Sequence, residues 1–243
     1  MILAAGLGTR LRPLTNAVPK PLLPVGGVPL IVWNLLLLKR HGIRDVVINL
    51  HYLGHMIEQA LGDGSKFGLR ILYSHEPKIL GTGGGIKQAA PHFGAEPVLI
   101  LNGDTLVELD LEALWNFHRT RQAAATLVLR EDPDAVQWGL VEVGEGDQIV
   151  RITGKGRKGD APTSPRMFAG IHILHPRLLH SVPQGVASSI IDPYVTAIEQ
   201  GEPVLGYDLR SYWSDIGTPE RYAQAECDAH AGHIRLEARR LKE

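Results

Sequence analysis

The residues best placed to do chemistry lie near the amino terminus. The stretch AAGLGTRLRPLTNAVPKPLLPVGG, residues 4–27, holds two arginines, one lysine, glycines and prolines, and no carboxylate. Gly6 and Gly8 allow backbone angles that other residues resist, so amide N–H groups can approach a ligand closely. Successive inward-facing N–H groups make an anion nest. Arg10 and Arg12 add charge, and a guanidinium can grip a phosphate through two parallel hydrogen bonds. Pro19 and Pro21 flank Lys20 and restrict where its amine can point. These parts suit the holding of a polyphosphate, although a bare G-x-G is also an ordinary turn.

Composition narrows the partners. The 243 residues are 44% hydrophobic and carry a formal net charge of −1. Proteins that wrap a nucleic-acid backbone carry a clear positive excess, so DNA and RNA are not expected partners. Cys227 is the single cysteine, so no intrachain disulfide can form. That, with an opening MILAAGLGTR lacking a basic lead, points to a cytoplasmic protein. PLIVWNLLLL is interrupted by Asn34 and is shorter than the roughly 20 apolar residues a membrane span needs, so no membrane is expected.

The elements that must position such a loop follow from the pattern. Strands are expected at Ile2–Ala5, Asp45–Leu50, Leu69–Ser74, Val98–Leu101 and Ala124–Leu129. Helices are expected at Leu30–His41 with Gly42 as its C-cap, and at Leu53–Leu61, Gly85–Ala90 and Asp110–Arg121. This alternation predicts an α/β fold: a three-layer, Rossmann-like, mainly parallel sheet with helices on both faces. In the second half WGLVEV and IVRI are short neighbouring strands, read as a small antiparallel insertion. GKGRKGDAPTSP reads as a mobile loop, MFAGIHIL as a strand, and Ser188–Glu199 and the segment from Pro219 as helices, the latter capped by Thr218. No internal repeat is visible, and no hexapeptide β-helix array follows. The 243 residues are therefore read as one domain.

Other motifs carry weaker signals. A dinucleotide fingerprint fails because Leu11 stands where the third glycine should be. GTGGGIK, residues 81–87, fails as a P-loop, lacking glycine before Lys87 and Ser or Thr after it. In VLILNGDTLVEL, Asp104 sits either beside an Asn-Gly hairpin turn or at the carboxyl end of a buried parallel strand, where ligands bind. Asp215 in WSDIGTP is a turn aspartate or a ligand residue. His51 and His55 in HYLGH lie one helical turn apart but lack the zinc-protease glutamate and a third ligand, so no zinc site is expected. His172 and His175 are expected to face outward, and Trp33 to lie in the core.

Taken together, GLGTRLRPLT, PKPLLPVGG, LGTGGGI, LNGD, WGLVEV, FAGIHIL and WSDIGTPERY resemble, in order and over nearly the whole chain, the signatures of the sugar-1-phosphate nucleotidyltransferases. The resemblance implies transfer of a nucleotidyl group from an NTP to a sugar 1-phosphate, with release of pyrophosphate, residues 1–121 being mainly nucleotide-binding and 122–243 mainly sugar-binding. Arg10 and Lys20 match the catalytic cations. Ala5, Gly6, Leu7, Gly8, Thr9, Gly81, Thr82, Gly83, Asn102 and Asp104 match nucleotide-binding positions, with Gly84 completing the small-residue loop that faces the base. Gly139, after Trp138, together with Gly170 and Asp215, matches sugar-side positions. Asp104 and Asp215 match the pair that holds Mg2+. Arg12 matches less firmly.

The chain departs from the family pattern in two places. Many uridylyl- and thymidylyltransferases carry a glutamine shortly before the base loop; here stand Pro77, Lys78, Ile79 and Leu80. The Glu-Lys pair that usually meets the sugar phosphate is absent, leaving Lys155 or Lys158 as substitutes. The resemblance leans to an N-acetylmuramic acid 1-phosphate uridylyltransferase, with a mannose- or heptose-1-phosphate guanylyltransferase as the alternative. A non-catalytic nucleotide-sugar-binding subunit is the alternative of another class. It implies small-molecule partners and a monomer or small homo-oligomer.

Overall fold

The computed structural model describes residues 1–133, 135, 139–157 and 164–234. In chain order the strands and helices begin with β1 (Ile2–Leu3), β2 (Pro24–Val25), β3 (Val28–Pro29), α1 (Leu30–Arg40), β4 (Asp45–Leu50), α2 (Gly54–Leu61) and β5 (Arg70–His75). Then come α3 (Gly81–Ala89), β6 (Val98–Asn102), β7 (Thr105–Val107), α4 (Leu111–Thr120), β8 (Ala125–Arg130), β9 (Leu140–Val143), β10 (Ile149–Ile152) and β11 (Lys155–Gly156). The chain continues with β12 (Ser164–Leu174), α5 (Ile191–Glu199), β13 (Val204–Asp208), β14 (Trp213–Asp215) and α6 (Pro219–His230). The class is α/β, as the alternating pattern predicts, and the sheet is mixed, with antiparallel pairs beside the expected parallel ones.

The chain forms two compact units. The first comprises Met1–Ile79, Leu101–Asp110 and Ser211–Glu243, of which the described part ends at residue 234. Here β1 pairs in parallel with β4 and with the end of β6, and β4 pairs in parallel with β5. Central parallel strands are buried on both faces, which is why VVINL is apolar at nearly every position. A second, two-stranded sheet pairs β7 antiparallel with β14. Leu11, Leu23, Val25, Leu30, Trp33, Leu106, Ile216, Ala225 and Ile234 bury together beneath it. Leu11, Leu23 and Val25 thus belong to a core, and Trp33 lies in it as expected. Gly42 ends α1 in the left-handed conformation, φ 78°.

The second unit comprises Leu80–Ile100 and Leu111–Arg210. Strands run in the order β11-β10-β9-β12-β8-β13, antiparallel except for the parallel β8–β13 pair. The antiparallel WGLVEV–IVRI insertion is seen as β9 and β10. Part of the segment read as a loop, Lys155–Gly156, is instead an edge strand, because it can still pair with β10. Lys158 and Trp138 lie outside the described residues. Helix α5 packs over β10, β11 and β13.

One outward-facing assignment fails. His172 is 1% exposed, with its Nδ1 hydrogen-bonded to the hydroxyl of Tyr194. The run Ile171–Leu174 is buried at every position, so β12 has no solvent face there and alternation gives no guide. Burial holds the His172 imidazole neutral, its pKa lowered to about 3. His175 is half-buried at the end of the same strand. His51 precedes α2 instead of sharing a helical turn with His55, and its Nδ1 lies 2.7 Å from the Glu76 carbonyl.

Candidate active site

The amino-terminal loop leaves β1 where a side chain takes over from the strand ladder. Leu3 still registers with Asn49, but the Ala4 N–H donates to Asn49 Oδ1 at 2.8 Å. Asn49 Nδ2 in turn donates to Glu76 Oε1 at 2.7 Å, and all three residues are buried. The chain then folds into short 3-10 turns at Thr9–Leu11, Leu14–Asn16 and Lys20–Leu22. Ala5 is buried, Gly6 and Leu7 are exposed, and Thr9 and Arg10 reach solvent. Gly8 takes a left-handed φ of 63°, and a Cβ there would lie 3.0 Å from Thr15 Cγ2. The buried Thr15 hydroxyl donates back to the Gly8 carbonyl at 2.8 Å. Farther along, Trp33 Nε1 and the Tyr222 hydroxyl donate to the carbonyls of Val25 and Pro24. The cationic loop is therefore tied down along its length.

Pairing of β7 with β14 brings the two distant acids together. Asp215 registers opposite Thr105, and the Ile216 N–H donates to the Asp104 carbonyl at 3.0 Å. Gly103 and Asp104 turn the chain from β6 into β7, which pairs with β14 and not with β6, so the Asn-Gly hairpin reading does not hold. Asn102 registers with Leu3, and the Gly103 N–H donates to the Leu3 carbonyl at 2.8 Å. A Cβ on Gly103 would stand 2.7 Å from that same carbonyl oxygen, so the position needs glycine.

Cations close around the acids. Lys20 is 9% exposed, and its Nζ sits 2.5 Å from Asp104 Oδ2. Arg221 Nη1 lies 3.2 Å from Asp215 Oδ2. A Cβ on Gly217 would stand 2.5 Å from Asp215 Oδ2 and 3.1 Å from both terminal nitrogens of Arg10, so glycine leaves the room in which they converge. Burial and the neighbouring Asp104 raise the Asp215 pKa, while Lys20, Arg10 and Arg221 pull it back down. Arg221 is the site residue that sequence reasoning missed. Its signal was an arginine in the first turn of a helix, where the macrodipole favours acids.

The donor set suits a hard divalent cation. Two neighbouring carboxylates repel one another, and their oxygens match the ligand preference of magnesium. Among the described residues no third His, Cys, Asp or Glu joins them. Magnesium commonly takes one or two carboxylates and completes its shell with phosphates and water.

In the second unit, helix α3 begins at Gly81, four residues earlier than the expected start, and includes Thr82, Gly83 and Gly84. The chain's own backbone explains why so many glycines can stand in a helix. A Cβ on Gly81 would meet the Ser188 carbonyl oxygen at 2.6 Å, and one on Gly84 would meet that of Val186 at 2.5 Å. The Gly83 N–H donates to the Ser188 carbonyl at 2.9 Å, and the Ile190 N–H donates to Thr82 Oγ1 at 3.0 Å. Gly139 adopts φ 99°, and Gly170, φ 75°, lies in β12 where the register to β8 shifts. Lys155 is exposed on β11.

Comparison with known proteins fits this geometry. The sequence profile of the nucleotidyl transferase family matches residues 1–232. The chain belongs to the nucleotidyl transferase family. It is 38% identical, over 95% of its length and 98% of the relative's, to the N-acetylmuramate alpha-1-phosphate uridylyltransferase of Neisseria meningitidis. It is 35% identical to the mannose-1-phosphate guanylyltransferase of Mycobacterium tuberculosis, matching 96% of this chain but only 64% of that one. Among solved structures, HddC from Yersinia pseudotuberculosis complexed with GMP-PN aligns at TM-score 0.74 with 24% identity, over 93% of this chain and 97% of its own. That likeness shows the fold. The named relatives are sugar-1-phosphate nucleotidyltransferases, and this chain is a member of that enzyme family. No described helix is long and apolar enough to cross a membrane.

Proposed function

We propose that this chain is a magnesium-dependent catalytic domain that transfers a nucleotidyl group from an NTP to a sugar 1-phosphate, releasing pyrophosphate. The observation that carries the reading is the cluster in the first unit, where Lys20, Arg10 and Arg221 surround Asp104 and Asp215. Two anionic substrates repel each other, and catalysis of their reaction is mostly alignment and charge neutralisation. Arg10 grips the triphosphate and stabilises the leaving pyrophosphate. Lys20 stabilises charge on the phosphates nearest the reacting phosphorus. The glycine-rich turn supplies backbone N–H groups, held in place by Thr15 and by the Asn49–Glu76 pair. Asp104 and Asp215 hold the divalent ion, which would neutralise phosphate charge and template the in-line attack.

Gly81, Thr82, Gly83 and Asn102 are proposed to serve the nucleotide, and Gly139 and Gly170 the sugar. The preferred reaction is uridylyl transfer to N-acetylmuramic acid 1-phosphate. The near-complete overlap with the Neisseria relative supports it. Guanylyl transfer to mannose or heptose 1-phosphate is the alternative, supported by the Mycobacterium relative and by the missing glutamine before Gly81. The protein is proposed to work in the cytoplasm as a monomer or small homo-oligomer. A panel of NTPs and sugar 1-phosphates with Mg2+, read by pyrophosphate release, tests this. Turnover of UTP with N-acetylmuramic acid 1-phosphate is expected, and turnover of no pair would overturn the reading.

A further inference from the structure

Both acids of the cluster already have partners of their own. Lys20 Nζ sits 2.5 Å from Asp104 Oδ2, and Arg221 Nη1 sits 3.2 Å from Asp215 Oδ2. The second pair is not explained by helix stability. Arg221 occupies the first turn of α6, where its N–H is held by the Thr218 cap at 3.4 Å. A cation there opposes the helix macrodipole, so the position is electrostatically unfavourable without a nearby acid. Asp215 is that acid.

We infer that Lys20 and Arg221 are resident competitors of the divalent cation, so that the ion enters by exchanging ion pairs: each acid turns from its basic partner to the metal, and the freed ammonium and guanidinium turn to the phosphates. This deepens the proposed function and rests on it. It assigns Arg221 a positioning role through Asp215 and makes ion binding and nucleotide binding mutually dependent. A divalent ion alone must displace two cations from their carboxylates. A triphosphate offers those cations phosphate oxygens in exchange, so each ligand lowers the cost of the other.

The test is a titration of Mn2+ alone, followed by electron paramagnetic resonance, on nucleotide-free full-length protein. Wild type is compared with Arg221→Gln, Lys20→Gln and Asp215→Asn, with circular dichroism confirming that each is folded. Removing a competitor should tighten Mn2+ binding roughly threefold to tenfold, in keeping with the modest strength of part-exposed ion pairs. Arg221→Gln, at a half-exposed position, keeps the test decisive if Lys20→Gln fails to fold. Equal or weaker Mn2+ binding in Arg221→Gln, with binding lost in Asp215→Asn, overturns the exchange and leaves the enzymatic reading standing. Mn2+ binding that does not depend on Asp215 at all overturns both.

Discussion

The two units of the molecule use glycine and charge in opposite ways. In the first, Gly217 clears space around the charged side chains of Asp215 and Arg10, and the cluster is organised by ion pairs such as Lys20–Asp104. In the second, Gly81, Gly83 and Gly84 clear space for the chain's own backbone at residues 186–189, and the buried polar groups are neutral, such as His172 against Tyr194. Damage to the ion pairs of the first unit should therefore register chiefly in turnover, and damage to the buried neutral groups of the second chiefly in stability.

The largest effect is expected from Asp104→Asn. Turnover should fall to near background, because the proposed cation ligand is lost. The same change deprives a buried lysine of its counter-charge, so a urea melt should also show a loss of about 1–3 kcal/mol. Retention of wild-type turnover would remove Asp104 from the mechanism. Next, Arg10→Ala should lower kcat by roughly 10²–10³-fold, the scale of losing one preorganised charge-stabilising donor. Since Arg10 is exposed, its melting temperature should hardly move, and a drop in stability instead of rate would contradict the contrast between the units.

The second unit should answer to acid. Burial holds His118 at a pKa of about 4 and His172 at about 3, below the ordinary 6.5. The unfolded chain takes up these protons first. Stability is thus fully present above pH 6.5 and is lost as pH falls toward 4, by about 1.4 kcal/mol per pH unit for each histidine. Urea midpoints across that range should fall with acid, and His118→Gln should flatten the slope; an unchanged slope would show that His118 is not among the responsible groups. Gly84→Ala should cost about 1–3 kcal/mol, read from the urea midpoint, by forcing a methyl against the Val186 carbonyl. The smallest effect, about 1–2 kcal/mol, is expected from Asn49→Leu, which leaves the Ala4 N–H without its acceptor. Being in the first unit, that change should also raise KM for the nucleotide; a melt shift with unaltered KM would make Asn49 a purely structural residue.

What could be read from the sequence depended on whether one segment carried its own explanation. The cationic loop, the β4 strand and the Thr218 cap each follow from local chemistry, and each appears where the residues put it. The meeting of Asp104 with Asp215 needed the family signatures, because no local pattern encodes the β7–β14 pairing. The burial of His172 and the early start of α3 were not legible. Both depend on what packs against them: a strand covered on both faces, and a backbone segment about a hundred residues away that makes three glycines the only residues that fit. Arg221 was visible only as an oddity, a base where a helix prefers an acid.

The bond between Ile216 and Asp104 spans 112 residues of chain. During synthesis the cationic turn and the first acid emerge early, whereas the second acid arrives only when β14 does. Long-range pairings of this kind form late, since a large loop must close first. A ribosome-bound chain therefore carries the proposed polyphosphate-binding turn without the second of the two acids until that last strand arrives.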